Sequence, residues 1–220
     1  LVLGREYLDE FAACAAPVIE QRARAGAAGI FEVALDQALQ HGLIGLALDT
    51  ARQLSGILPQ TVKSIALVVD PEAEFLRELI NSLPNLGGIQ FHGAETPAFL
   101  AAFQKPGLEL WKALPVRTGQ DIHEARRFAG AADRILYDAK PPKGADLPGG
   151  TGLRFDWTLL QGVRHPLPWI LAGGLDATNV AEAHRVTGAD FFDVSSGVEA
   201  SPGIKDVDKI AAFLKATRDL

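Results

Sequence analysis

The stretch Leu171-Ala172-Gly173-Gly174-Leu175, taken with Phe191-Phe192-Asp193-Val194-Ser195-Ser196-Gly197-Val198-Glu199, decides the fold. In each, an apolar strand runs into a turn of Gly and Ser, and a helical pattern follows. Glycine at such a junction lets main-chain N–H groups converge with no side chain in the way. A helix starting just beyond adds positive dipole, so the junction can cradle a phosphate. One Gly-Gly pair alone reads as an ordinary tight turn. Two such junctions in succession near the C-terminus match the place where (β/α)8 barrels hold phosphate, the turns after their last two strands.

Working outward, the same rhythm repeats. Lys63–Val69 (KSIALVV) is a β-branched apolar run ended by Asp70-Pro71, and the next helix presents Phe75, Leu76, Leu79, Ile80 and Leu83 on one face. Gly87–Phe91 with a helix over Glu95–Gln104, and Leu108–Val116 with a helix over Gly119–Ala129, are the next two units. Arg134–Tyr137 ends at Asp138, and after a long loop a short helix begins near Asp156-Trp157. Pro168–Ala172 leads to a helix near Asp176–Val186, and Asp190–Val194 leads to Val207–Arg218. Six strand–helix units thus fit between Lys63 and Leu220, and alternation at this spacing predicts a parallel sheet covered by helices.

Residues 1–62 leave room for two more units at the same rate, and eight units close a barrel. Leu1-Val2-Leu3 reads as a clipped first strand, Glu6–Ala25 as a helix, Gly29–Leu35 as a second strand, with a helix over Glu32–Leu39 fitting nearly as well, and Thr50–Leu58 as a second helix. The expectation is one (β/α)8 domain over residues 1–220, an α/β fold with an eight-stranded parallel barrel. An open doubly wound sheet usually carries a glycine-rich fingerprint after its first strand, and neither GxGxxG nor GxxxxGK[ST] occurs. No internal repeat, low-complexity tract or linker suggests a second domain.

Composition narrows the function. No stretch approaches the roughly 18 to 20 apolar residues of a membrane span, and the first residues lack a basic region followed by an apolar run. The expectation is a soluble, cytoplasmic protein with no membrane partner. The single Cys14 rules out an internal disulfide framework and suits a reducing compartment. With 21 basic against 27 acidic residues and no basic run, nucleic acid is not an expected partner. An anionic metabolite still fits, because main-chain amides can bind it without any excess of Lys or Arg. The chain contains no Met and opens on Leu1, which leaves room for a longer translated chain.

Gln90-Phe91-His92-Gly93, Tyr137-Asp138, Gly149-Gly150-Thr151-Gly152 with Phe155-Asp156-Trp157, Leu171–Leu175 with Asn179-Val180, and Asp193–Glu199 with Gly203 and Lys205-Asp206 together resemble phosphoribosylanthranilate isomerases. The match runs in order and spacing over roughly residues 49–213, and the GGTGxxFDW and DVSSGVE blocks are specific among barrels. The first 45 or so residues do not match. The resemblance implies a (β/α)8 barrel of tryptophan biosynthesis, monomeric or homodimeric. It would convert N-(5′-phosphoribosyl)anthranilate to 1-(o-carboxyphenylamino)-1-deoxyribulose 5-phosphate by an Amadori rearrangement, acting on a small phosphorylated substrate with no cofactor.

That chemistry needs one acid and one base. A proton on the furanose oxygen opens the ring, the nitrogen lone pair forms an iminium, a base removes the C2′ proton, and the enol collapses to the ketone. Asp138 stands at the C-terminal end of a strand, on the face where barrel active sites lie, and the family's general acid falls on this position. A carboxylic acid that gives up its proton near neutrality needs desolvation or a neighbouring anion, and the substrate's carboxylate and phosphate supply the second. Read as a turn residue, Asp138 would merely cap the following loop. Gly173, Gly174, Ser196 and Gly197 would grip the phosphate.

In the family, a Cys in a Lys-x-Cys-Gly pattern is the base and an Arg in a Ser-Pro-Arg pattern helps hold the substrate; neither pattern occurs here. The nearest equivalent of the first, Leu1-Val2-Leu3-Gly4, puts Leu3 where a thiolate belongs, and leucine cannot take a proton. Cys14, in an alanine-rich helical stretch, reads as a small buried hydrophobe. Another base, a binding-only homologue, or a different N-terminal segment would each account for this. His92 is expected either to contact the anthranilate or to satisfy loop backbone groups. Gly149–Gly152, in a long loop, reads as a movable cover over the site. Lys112 and Lys140 either face the phosphate or carboxylate or, as long Lys side chains usually do, solvent, and take no assigned role; His41, His123, His165 and His184 form no metal-binding pattern. A rival of the same fold, indole-glycerol-phosphate synthase, would need a catalytic Lys and a different final-strand signature.

Overall fold

The computed structural model describes residues 29–34, 48, 51–52, 55–56, 62–83, 85–139, 154–201, 204–218 and 220. The chain divides into two compact units, residues 1–96 with 104–110 and residues 97–103 with 111–220.

In the first unit three strands pair in parallel: β1 (Gly29–Ala34), β2 (Val62–Val68) and β3 (Leu86–Phe91), with Ala34 opposite Leu67 and Leu67 opposite Gln90. The β-branched run that predicts β2 buries Ile65, Ala66 and Val68. Its one polar intrusion, Ser64, donates its hydroxyl to the Asn85 carbonyl at 2.9 Å and sits 3.3 Å from the Ser55 hydroxyl, so the group is buried but satisfied. Helix α1 (Ala73–Ser82) buries Leu76 and Leu79, two residues of the apolar face that the spacing predicts.

In the second unit β4 (Glu109–Val116, whose first two residues belong to the first unit), β5 (Arg134–Ala139) and β6 (Trp169–Leu171) pair in parallel. Leu114 lies opposite Tyr137, and Tyr137 opposite Leu171. The helices are α2 (Pro97–Ala101), α3 (Gly119–His123), α4 (Val180–Thr187) and α5 (Val207–Arg218), with 3-10 turns at Glu124–Phe128, Trp157–Leu160 and Ser196–Val198. A small antiparallel hairpin, β7 (Glu199–Ser201) with β8 (Ile204–Lys205), precedes α5. The turn at Trp157 is capped by Asp156, whose carboxylate accepts from the Thr158 amide at 3.0 Å and hydroxyl at 2.7 Å; those bonds hold it below the usual carboxylate range. Gly188, at φ 73°, closes α4 in the left-handed conformation.

Several sequence expectations need correction. Asp190–Val194 is not a continuous strand: only Phe192 forms a parallel bridge, to Leu171, with Leu171 N–H donating to Phe191 and Asp193 N–H donating to Leu171. The helix expected over Glu95–Gln104 is only Pro97–Ala101, because Glu95 spends its carboxylate on loop amides and Pro97 suits a first helical turn. The helix over Gly119–Ala129 tightens to 3-10 after His123. β5 runs through Ala139, past the expected Arg134–Tyr137, with Asp138 at its C-terminal end as expected. Gly29–Leu35 holds as β1, and within Thr50–Leu58 residues 51–52 and 55–56 are helical. Leu1–Leu3, the helix over Glu6–Ala25 and Cys14 lie outside the described residues. No helix among the described residues is long and apolar enough to cross a membrane.

Candidate active site

Successive residues of a strand face opposite ways, so Tyr137 and Asp138 diverge. Tyr137 is fully buried; its hydroxyl lies 3.1 Å from His165 Nδ1, and its ring packs against His165 and Trp169 at 5.4 and 5.7 Å. Burial pushes the phenol pKa up and the imidazole pKa down, so both stay neutral and the pair shares a single hydrogen bond. Asp138, on the other face and half-buried, has Oδ1 accepting from the Ala139 amide at 2.7 Å.

The first glycine turn lies directly against that carboxylate. Ala172 N–H donates to the Tyr137 carbonyl at 2.8 Å, which starts the turn beside Asp138. Gly173 has φ 88°, and a Cβ there would sit 2.9 Å from Asp138 Oδ1 and 2.7 Å from the Ala139 nitrogen. Any other residue would clash as well as being strained. Asn179, 8% exposed, braces the turn from behind: its Nδ2 donates to the Gly174 carbonyl at 3.0 Å, and its Oδ1 accepts from the Asp176 amide at 3.0 Å.

The second turn touches the first. Gly197 packs so closely on the Leu175 carbonyl oxygen that no Cβ fits between them, and a Cβ there would also lie 3.1 Å from the Asp176 Cβ. Lys205 Nζ donates to the Ser195 carbonyl at 2.9 Å, the Ser195 hydroxyl at 3.2 Å and Glu199 Oε1 at 2.6 Å. The start of α5 adds Asp206 N–H to the Val198 carbonyl at 2.8 Å and Lys209 Nζ to the Glu199 carbonyl at 2.6 Å. Hydrogen bonds among the described residues take up none of the main-chain N–H groups of Gly173, Gly174, Ser196 and Gly197. Two adjoining turns with uncommitted amides, beside a carboxyl group, suit a phosphate on one side and a proton donor on the other.

The structure therefore brings together Asp138, Gly173, Gly174, Ser196 and Gly197, all in the second unit. His92 belongs to the first unit, at the C-terminal end of β3, with its amide donating to the Val68 carbonyl at 2.8 Å. Its loop is tied down by carboxylates: Glu95 accepts from the Asp70 amide at 2.9 Å and the Gly93 amide at 3.1 Å, and Asp70 Oδ1 accepts from the Ala94 amide at 2.6 Å. Lys112, which would usually be solvated, is buried, with Nζ 6.0 Å from the centre of the Phe128 ring. Gly149–Gly152, Lys140, Gly203, His41 and Leu3 lie outside the described residues. Among the described residues no cluster of three His, Cys, Asp or Glu could hold a metal. Asn179 and Lys205 belong to the blocks that carry the resemblance, but the sequence assigns neither a role; their bracing contacts are seen only in the structure.

Residues 49–216 match the family described as N-(5′-phosphoribosyl)anthranilate (PRA) isomerase. The N-(5′-phosphoribosyl)anthranilate isomerase of Zymomonas mobilis subsp. mobilis is 47% identical over 172 residues, covering 77% of this chain and 80% of that protein. The enzyme of the same name from Paramagnetospirillum magneticum is 44% identical over 200 residues, covering 85% and 93%. Among solved structures, phosphoribosyl anthranilate isomerase from Thermotoga maritima superposes with a TM-score of 0.73 at 28% identity, covering 92% of this chain and 95% of that one. A phosphoribosyl anthranilate isomerase in complex with reduced 1-(o-carboxyphenylamino)-1-deoxyribulose 5-phosphate superposes at 0.70 with 27% identity, covering 92% and 94%. The (β/α)8 class expected from the alternating elements is the class of these relatives and of this chain. Its alternating strands and helices, its paired glycine turns and these likenesses agree: the chain belongs to the N-(5′-phosphoribosyl)anthranilate isomerase family.

Proposed function

We propose that this chain catalyses the Amadori rearrangement of N-(5′-phosphoribosyl)anthranilate in tryptophan biosynthesis, with Asp138 as the general acid and the turns at Gly173-Gly174 and Ser196-Gly197 as the phosphate grip. The observation that carries this assignment is the contact of the Asp138 carboxylate with Gly173, whose turn adjoins Gly197. A phosphorylated sugar held by those amides brings its ring oxygen near a proton donor. Proton transfer from Asp138 to that oxygen breaks the C1′–O bond, and the nitrogen lone pair closes the iminium. Loss of the C2′ proton then gives the enol that becomes the ketone. Asp138 is pre-positioned for this step: the Ala139 amide donates to its Oδ1 at 2.7 Å, and the glycine turn lies close enough to that oxygen to leave no room for a side chain at Gly173.

His92 belongs in this reading as a contact for the anthranilate. The proton on C2′ falls to a group other than Asp138 and His92: the nearest equivalent of the family's Lys-x-Cys-Gly pattern, Leu1-Val2-Leu3-Gly4, has no side chain that takes a proton and lies outside the described residues. The reading takes residues 1–220 as one (β/α)8 domain, cytoplasmic, monomeric or homodimeric, needing no cofactor and binding no nucleic acid. Its test is direct. On mixing enzyme with N-(5′-phosphoribosyl)anthranilate, the substrate's fluorescence decays with multiple turnovers; a steady signal with the ligand still bound would make the chain a binding protein.

A further inference from the structure

We propose that Lys205 is a positioning residue for phosphate binding: its ammonium grips the Ser195–Glu199 turn through that turn's oxygens, and so keeps the Ser196 and Gly197 amides aimed at the ligand. The inference rests on the reading of those amides as phosphate donors. An ammonium has three N–H donors and no acceptor. Here the three nearest oxygens, the Ser195 carbonyl at 2.9 Å, the Ser195 hydroxyl at 3.2 Å and Glu199 Oε1 at 2.6 Å, account for all three.

The side chain is only 5% exposed, and that of Glu199 15%, unlike an ordinary solvated surface lysine. Its two anchor residues bracket the turn, one at each end. With its charge matched by Glu199 and its donors filled, Lys205 has little left to offer a phosphate directly. What it supplies is geometry: every bond it makes to the turn goes to an oxygen, and none competes with the ligand for an N–H. A cation placed this way holds the loop without blocking its anion-binding face.

The experiment compares Lys205→Met and Glu199→Gln in the full chain, reading KM and kcat with the fluorescent substrate, the inhibition constant of inorganic phosphate, and Tm. If Lys205 positions the turn, both variants raise KM and the phosphate inhibition constant together by about 10-fold, while kcat falls by less than about threefold. Should Lys205 instead bind phosphate directly, Glu199→Gln would leave its charge unopposed and tighten phosphate while Lys205→Met weakens it; opposite signs overturn the proposal. A fall in Tm with the phosphate constant unchanged in both variants overturns it too, leaving the reading of the site intact. Where Lys205→Met does not fold, Glu199→Gln alone decides by the sign of its change. Wild-type enzyme that turns over substrate but ignores inorganic phosphate would remove the assignment of the turns, and the proposal with it.

Discussion

The loop after β3 and the turn after Phe192 are braced by groups of opposite sign. Around His92, carboxylates hold the main chain: Glu95 takes the amides of Asp70 and Gly93, and Asp70 takes that of Ala94. Around Ser196, donors hold it: Lys205 takes the Ser195 carbonyl and hydroxyl, Lys209 takes the Glu199 carbonyl, and at the neighbouring turn Asn179 takes the Gly174 carbonyl. An acceptor brace consumes N–H groups, and a donor brace spares them. Only the second kind of loop can offer its main chain to an anion. The amides of His92, Gly93 and Ala94 are all taken, whereas hydrogen bonds among the described residues leave those of the glycine turns uncommitted.

The largest test of that division is Asp138→Asn. It keeps the shape of the turn and removes the proton, so kcat should drop by about 10³-fold while affinity for the product stays within a few-fold. Unchanged turnover would detach the acid from the glycine turns. Next comes Gly173→Ala, whose methyl would meet the Ala139 nitrogen at 2.7 Å and Asp138 Oδ1 at 2.9 Å in a backbone at φ 88°. Displacing acid and phosphate grip together should cost about 10²-fold in kcat/KM, with the phosphate inhibition constant rising alongside. Retained phosphate affinity would show that this turn is not part of the grip.

On the carboxylate-braced side, Gly93→Ala is the matching perturbation, because its methyl would lie 2.5 Å from Asp70 Oδ1. Chemical denaturation should report a loss of about 1–3 kcal/mol, with inhibition by inorganic phosphate unaffected. A weakened phosphate site would contradict the contrast between the two loops.

The smallest effect is expected at His165, which belongs to neither brace. Burial lowers its pKa in the folded state, so the unfolded chain binds the proton more readily and the folded form is favoured while the ring stays neutral. Its contribution is complete above about pH 6.5 and declines as pH falls through and below that value. Thermal unfolding between pH 7.5 and 5 should show a decline that is shallower by about 2 °C in His165→Phe. An equal slope in the variant would remove His165 as its source.

The parts legible in the sequence are those whose cause is local. Val207–Arg218 is read with its observed ends, and the strands between residues 62 and 139 fall within a residue or two of their apolar runs, because β-branching and turn chemistry act on the residue that carries them. Asp190–Val194 also carries an apolar, aromatic centre, yet only Phe192 pairs; a strand also needs a neighbour, which composition does not reveal. The glycine turns are visible because few residues tolerate their backbone. The braces are not. Lys205 reaches Ser195 by way of a hairpin, and nothing in a lone Lys separates a buried cross-link from a solvated tip. The approach of Asp138 to Gly173 likewise follows from strand pairing: Tyr137 lies opposite Leu171, which sets the residues just beyond each side by side.

The seating of Gly197 on the Leu175 carbonyl oxygen has a consequence for how such a site can change. With no room for even a methyl group at that seam, the two segments cannot be redesigned or inherited separately. A laboratory library that varies one of them while freezing its neighbour will mostly sample broken pairs, and new ligand preferences should emerge when both are exchanged as a cassette.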